Sequence, residues 1–140
     1  MGVFFDSSSF NEITELYARI LLKTVLDLKK LALKPESFIN DRINQYYIRH
    51  KSPDRWLDQI ASEIEEDAVS IIDFIENYFF EMMCKIFGIR IAIKAQNRVL
   101  KYLEQAKENL PSLKKMAREK VEIKRKLLQN KYEEVGRCRR

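Results

Sequence analysis

The stretch Ile71–Lys94, IIDFIENYFFEMMCKIFGIRIAIK, decides how the rest of the chain is read. It is as greasy as a membrane span, yet Asp73, Glu76, Glu81, Lys85 and Arg90 punctuate it. A charge at the centre of a spanning helix costs about 2.5–3.5 kcal/mol, and a series of them overwhelms the apolar gain. The segment therefore reads as the inside of a helical bundle. Ile71, Ile72, Ile75, Phe79, Met82, Ile86, Ile89 and Ile93 keep the helical period. Phe74, Tyr78, Phe80 and Met83 fall outside that stripe and make the helix apolar on most sides. A helix of that kind is a hub with other helices around it.

Upstream, Leu57, Ile60, Ile64 and Ala68 extend the stripe back to a start signal at Ser52-Pro53-Asp54: an N-cap Ser, Pro in the first turn, and an acid at the positive helix end. Gly88 interrupts the long helix. A single Gly costs about 1 kcal/mol, so the expectation is a bend in a continuous helix. Nearer the N-terminus, Ser9 and Glu12 form a capping box for a first helix. Phe10, Ile13, Leu16, Tyr17, Ile20, Leu21, Leu28 and Leu31 make its main face, and Leu22, Val25, Leu26 and Leu33 a second stripe. Lys34-Pro35 ends it, and a short second helix follows with Phe38, Ile39, Ile43, Tyr46 and Tyr47 on one side. Downstream, Leu110-Pro111-Ser112 predicts a fresh helix from Pro111 to about Glu134, with a weak apolar face of Leu113, Met116, Ala117, Val121 and Leu128 and Gly136 as its C-cap.

The whole is an all-α bundle of about four helices around one long central helix. Residues 1–135 form a single domain and 136–140 a basic tail. Three Gly and three Pro in 140 residues leave too few turns for sheets or barrels. Cys84 and Cys138 stand far apart and neither has a neighbour at metal-ligand spacing, as expected for thiols in a reducing, intracellular setting. The N-terminus shows no basic region followed by an apolar run.

Catalytic chemistry is hard to place. His50 is the lone histidine, set in an inter-helix loop without a Ser or Cys close in sequence. The pair Arg42 and His50 is spaced too widely for the Arg-to-His motif of helical HEPN ribonucleases. Glu63, Glu66, Asp67 and Asp73 lack the Glu-x-x-His pairs of a di-metal bundle. There is no Gly-rich phosphate loop and no nucleophile elbow. The expectation is a non-enzymatic protein with no cofactor, no metal and no small-molecule substrate.

Charge is unevenly spread. Residues 1–97 carry a net −3 and residues 98–140 a net +8, with the acids densest at Glu63–Asp67. One reading is internal, with the basic C-terminal helix lying along the acidic start of the long one. Another is nucleic-acid contact through Lys114, Lys115, Arg118, Lys120, Lys124, Arg125, Lys126 and Lys131. A third is docking on an acidic protein. Against the nucleic-acid reading, base-stacking aromatics are scarce there, with Tyr132 alone.

The order of these signals resembles the helical A domain of archaeal GINS subunits, accessory proteins of the replicative helicase. LALKPESFINDRINQYYI (Leu31–Ile48) is similar to that family's proline-and-Phe segment, and ITELYARILLKTVLDL (Ile13–Leu28) sits where its first helix would. EEDAVSIIDFIENYFFEMMCKIFGIRIAIK (Glu65–Lys94) resembles its long helix, and ENLPSLKKMAREK (Glu108–Lys120) lies at its last helix start. The chain departs from the pattern at Lys34, at Lys114-Lys115, and in having no β-rich segment after Arg125. The resemblance implies an A-domain-only scaffold subunit, packed with other subunits between the helicase ring and its activator. Phe74, Tyr78, Phe79, Phe80, Met82 and Met83 are the residues expected at that protein interface, since interfaces favour aromatics and Met. Two alternatives stand beside it: a small helical nucleic-acid-binding subunit of a ribonucleoprotein or CRISPR-type effector complex, and a helical homo-oligomer.

Overall fold

A computed structural model describes residues 7–49 and 57–138, with side chains placed for residues 11–46, 59–131 and Gly136. The described residues are all helical or at helix joints. The helices are α1 (Ser7–Leu33), α2 (Pro35–Arg49), α3 (Leu57–Asn77), α4 (Phe79–Phe87) and α5 (Ile89–Cys138). The Ser52-Pro53-Asp54 start signal and His50 lie outside the described residues, as does the side chain of Ser9. Helix α1 is already formed at Ser7, which places Ser9 inside it rather than at its cap. No described helix is long and apolar enough to cross a membrane.

The α1–α2 joint is a single residue. The Lys34 amide still donates to the Lys30 carbonyl at 2.7 Å, and its own carbonyl accepts from Ser37 at 2.9 Å. Pro35, which has no N–H to satisfy, opens α2. Helix α2 then buries Phe38, Ile39, Ile43 and Tyr46 of the face read from the sequence, and the side chain of Tyr47 lies outside the described residues.

The hub is α5. It packs against α1, α2, α3 and α4, and its core face consists of Ala92, Val99, Leu103, Ala106, Leu113, Ala117 and Val121. Alanine at three of these places lets neighbouring backbones come close. The expected helix start at Pro111 is corrected, because α5 runs through it. An interior Pro loses one backbone hydrogen bond and costs about 3 kcal/mol in an isolated helix. Here Pro111 points to solvent, while Leu103 and Ala106 before it and Leu113 and Ala117 after it share one buried seam. Packing along that seam outweighs the local penalty. The expected C-cap at Gly136 is corrected too, since the helix continues to Cys138.

The central segment breaks twice where a continuous helix was expected. Tyr78 has φ −126° and ψ −22°, which offsets α3 from α4, although its amide still reaches the Phe74 carbonyl at 2.9 Å. The buried seam survives this offset: Ile60, Ile64, Ala68, Ile72, Ile75, Phe79 and Met83 follow at steps of three or four residues. Gly88 is a true end. Its φ of +89° and ψ of 163° are open to glycine and strained for other residues. The chain restarts in a new rotational phase, so Ile89 and Ile93, expected in the core, are 62 % and 47 % exposed. Ala92 and Val99 take the buried positions instead.

Polar side chains pin one end of the bundle. Arg42 of α2 pairs with Asp27 of α1 at 3.1 Å and with Asp67 of α3 at 3.3 Å. Its guanidinium also lies 4.8 Å from the Phe38 ring centroid. Asn109 of α5 donates its amide to the carbonyls of Leu31 at 2.8 Å and Ala32 at 3.0 Å, which closes the otherwise unsatisfied C-terminus of α1. Lys30–Asp41 and Lys107–Glu76 add further ties between helices.

Candidate functional site

At the other end, among the described residues, no ion pair joins α1, α4 and α5 to one another. The ion pairs there, Arg19–Glu15 and Lys85–Glu81, stay within their own helices. Between α1, α4 and α5 lies an open groove of about 650 Å³, lined almost wholly by apolar atoms. Its floor is Leu21, Phe79, Met83 and Val99. Ala18 of α1 and Ala95 of α5 leave it open, because neither side chain is large enough to fill it. Leu22, Phe87 and Ile91 stand up as lips and are 61 %, 42 % and 50 % exposed.

The residues expected at a protein interface divide. Tyr78 and Phe80 are exposed, and the Tyr78 ring sits 6.3 Å from that of Phe74. Phe74 and Met82 are half-buried against the core. Phe79 and Met83 are core side chains whose outward edges reach only the groove floor. The bare surface extends further than that set. Ile13, Leu16, Tyr17 and Ile20 expose the apolar seam of the first half of α1, and Ile89 and Ile93 that of the first turns of α5.

The eight basic residues expected to form a nucleic-acid face do not share one side of α5. Lys120 reaches Glu36 at 3.8 Å and Lys124 reaches Asn44 at 3.4 Å, so both turn toward α2. Arg125 pairs with Glu122 at 2.6 Å within α5. That contact holds the Glu122 carboxyl below its ordinary range. Lys114, Arg118 and Arg125 line a second side, and Lys115 and Lys126 a third, at 100° of rotation per residue. Lys115, Arg118, Lys126 and Lys131 are exposed. Lys120 and Lys124 are thus taken by α2 rather than by the acidic start of α3.

A different basic stripe emerges at the start of α5. Arg90, Lys94, Arg98 and Lys101 follow at steps of three or four residues and are all exposed. None of the four makes an ion pair among the described residues. Lys94 and Arg98 form the α5 edge of the groove. Arg42, considered in the sequence beside His50, is committed to Asp27 and Asp67. The acids Glu63, Glu66 and Asp67 border a small cleft with Arg42 and Tyr46, and no group of three His, Cys, Asp or Glu among the described residues is placed to hold a metal ion.

Comparison with protein families, with characterised proteins and with solved structures finds no match for this chain.

Proposed function

We propose that this protein is a non-enzymatic assembly subunit that docks other proteins through its α1–α4–α5 end. One observation carries the reading. A groove lined by apolar groups, with Leu22, Phe87 and Ile91 exposed at its lips, lies between α1, α4 and α5, which no ion pair joins to one another among the described residues; Tyr78 and Phe80 are exposed at the start of α4. Large exposed apolar patches on helical domains mark interaction surfaces. The replication form of this proposal, a GINS-like scaffold between helicase and partner, draws its support from the sequence resemblance of the segments Ile13–Leu28 and Leu31–Ile48.

The test is site-specific photo-crosslinking in the source cell, with a photoreactive side chain at Tyr78, at Phe87 and, as control, at Lys115 on the outward side of α5. Protein adducts at the first two positions and none at the third are expected. Absence of protein adducts at Tyr78 and Phe87 would defeat the proposal.

A second reading, a nucleic-acid-binding subunit, is favoured by the exposed Arg90–Lys101 stripe together with exposed Lys115, Lys126 and Lys131. It requires that the isolated chain bind oligonucleotides with an affinity that falls steeply with salt. Salt-insensitive or absent binding removes it.

A further inference from the structure

We propose that the α1–α4–α5 groove seats an amphipathic helix of another polypeptide, with large apolar side chains at i, i+3 or i+4, and i+7 and with Asp or Glu on the flank facing α5. This rests on the docking reading above and names the occupant.

Shape favours a helix. Along α1 the groove runs from Glu15 to Val25, about 15 Å at 1.5 Å per residue, which matches roughly three turns of a partner helix. Helix-in-groove recognition uses anchors over that length. The gaps left by Ala18 and Ala95 receive the anchors. The raised lips Leu22, Phe87 and Ile91 decide against a slender ligand, which would fill the floor and leave them wet. A helix about 10 Å wide covers floor and lips together.

Charge favours an acidic flank. Lys94 and Arg98 edge the groove on the α5 side, and Arg90 and Lys101 extend the same stripe in both directions. On the α1 side Glu15 is already engaged by Arg19 at 2.6 Å. An incoming helix with acids toward α5 would meet four cations that have no ion pair among the described residues, whereas a basic flank would be repelled. Nucleic acid could use the cations but has no apolar ridge to fill the groove. The acid-rich helix of this chain, α3, already buries Ile60, Ile64, Ile72 and Ile75 in its own core and is unavailable to a second copy.

The test is selection of displayed 18-residue helical peptides, randomised at the anchor and flank positions, on the intact full chain. Enriched sequences should carry apolar anchors and a net negative flank. Their affinity should drop at least tenfold on Ala95→Phe, which plugs the groove, and on Lys94→Glu/Arg98→Glu, and should weaken as salt rises. If Ala95→Phe fails to fold, the charge-reversed variant, altered only at exposed positions, still decides. Failure to enrich any peptide, enrichment without acidic bias, or binding indifferent to the variant that folds overturns the proposal. So does dimerisation of the chain alone that Ala95→Phe abolishes, or palmitate binding blocked by Ala95→Phe with no peptide selected. Protein crosslinks from Tyr78 combined with a failed selection would leave the docking reading standing and this occupant wrong.

Discussion

The two halves of α1 carry the same kind of apolar seam and meet opposite fates. In the second half Leu28 and Leu31 are sealed, Asp27 and Lys30 are tied to α2, and Asn109 closes the last turn. In the first half Ile13, Leu16, Tyr17 and Ile20 stand in solvent. The seam is as greasy in one half as in the other, so composition does not explain the difference. What differs is the packing: α2 and Asn109 hold the second half, whereas along the first half α4 and α5 leave an open groove. Stability and availability for partners are therefore divided along one helix.

The sharpest way to break this contrast is a matched pair of truncations. Leu28→Ala opens a cavity at a fully buried site and should cost about 2–5 kcal/mol, whereas Leu16→Ala should stay within about 0.5 kcal/mol. Urea denaturation of both variants checks it, and equal losses would mean that the two halves are alike. Next comes Arg42→Ala, which strands the largely buried Asp27 carboxylate and removes the contact with Phe38. A loss of about 2–3 kcal/mol is expected, below the figure for a fully buried pair because Asp67 is half exposed to water. Thermal melts of Arg42→Ala and Arg42→Lys would separate charge from geometry.

Gly88→Ala should cost about 1–3 kcal/mol through backbone strain alone, since an added Cβ would meet no atom within 4 Å. It loosens the bare end, so hydrogen exchange should quicken in α4 more than in α2. The smallest effect concerns Lys30, whose ammonium is held above its ordinary value by the hydrogen bond to Asp41. A group raised in the folded state stabilises at pH values below its unfolded pKa and loses that contribution as pH rises through the folded one. The difference in melting temperature between the native chain and Asp41→Asn should thus be present near neutrality and shrink above about pH 10.5.

Much of this was legible from residues. The helical period gave the class, Lys34-Pro35 gave a true joint, and Phe38, Ile39, Ile43 and Tyr46 gave the face of α2. Breakers were the weak point, because their effect is set by context. Gly88 carries only a small intrinsic helix penalty, yet its positive φ resets the phase of everything after it. Pro111 carries a large one, yet a continuous buried seam overrides it. The candidate site was half visible for the same reason. Tyr78 and Phe80 face outward as expected, whereas Phe79 and Met83 continue the α3 seam. The Arg90–Lys101 stripe is readable at helical spacing, but the charge excess after residue 98 points to a later part of α5. Arg42 and Asn109 gave no local signal, since their partners are distant in sequence.

The Asn109 clip also sets an order of events. The carbonyls it satisfies, at Leu31 and Ala32, precede it by 78 and 77 residues. While the chain is still emerging from the ribosome, the first helix has no finished end and α5, which packs along it, has yet to be made. The nascent amino-terminal half waits with sticky surfaces bare until the last third arrives, which makes synthesis itself the interval in which a chaperone, or the proposed partner, has most to hold.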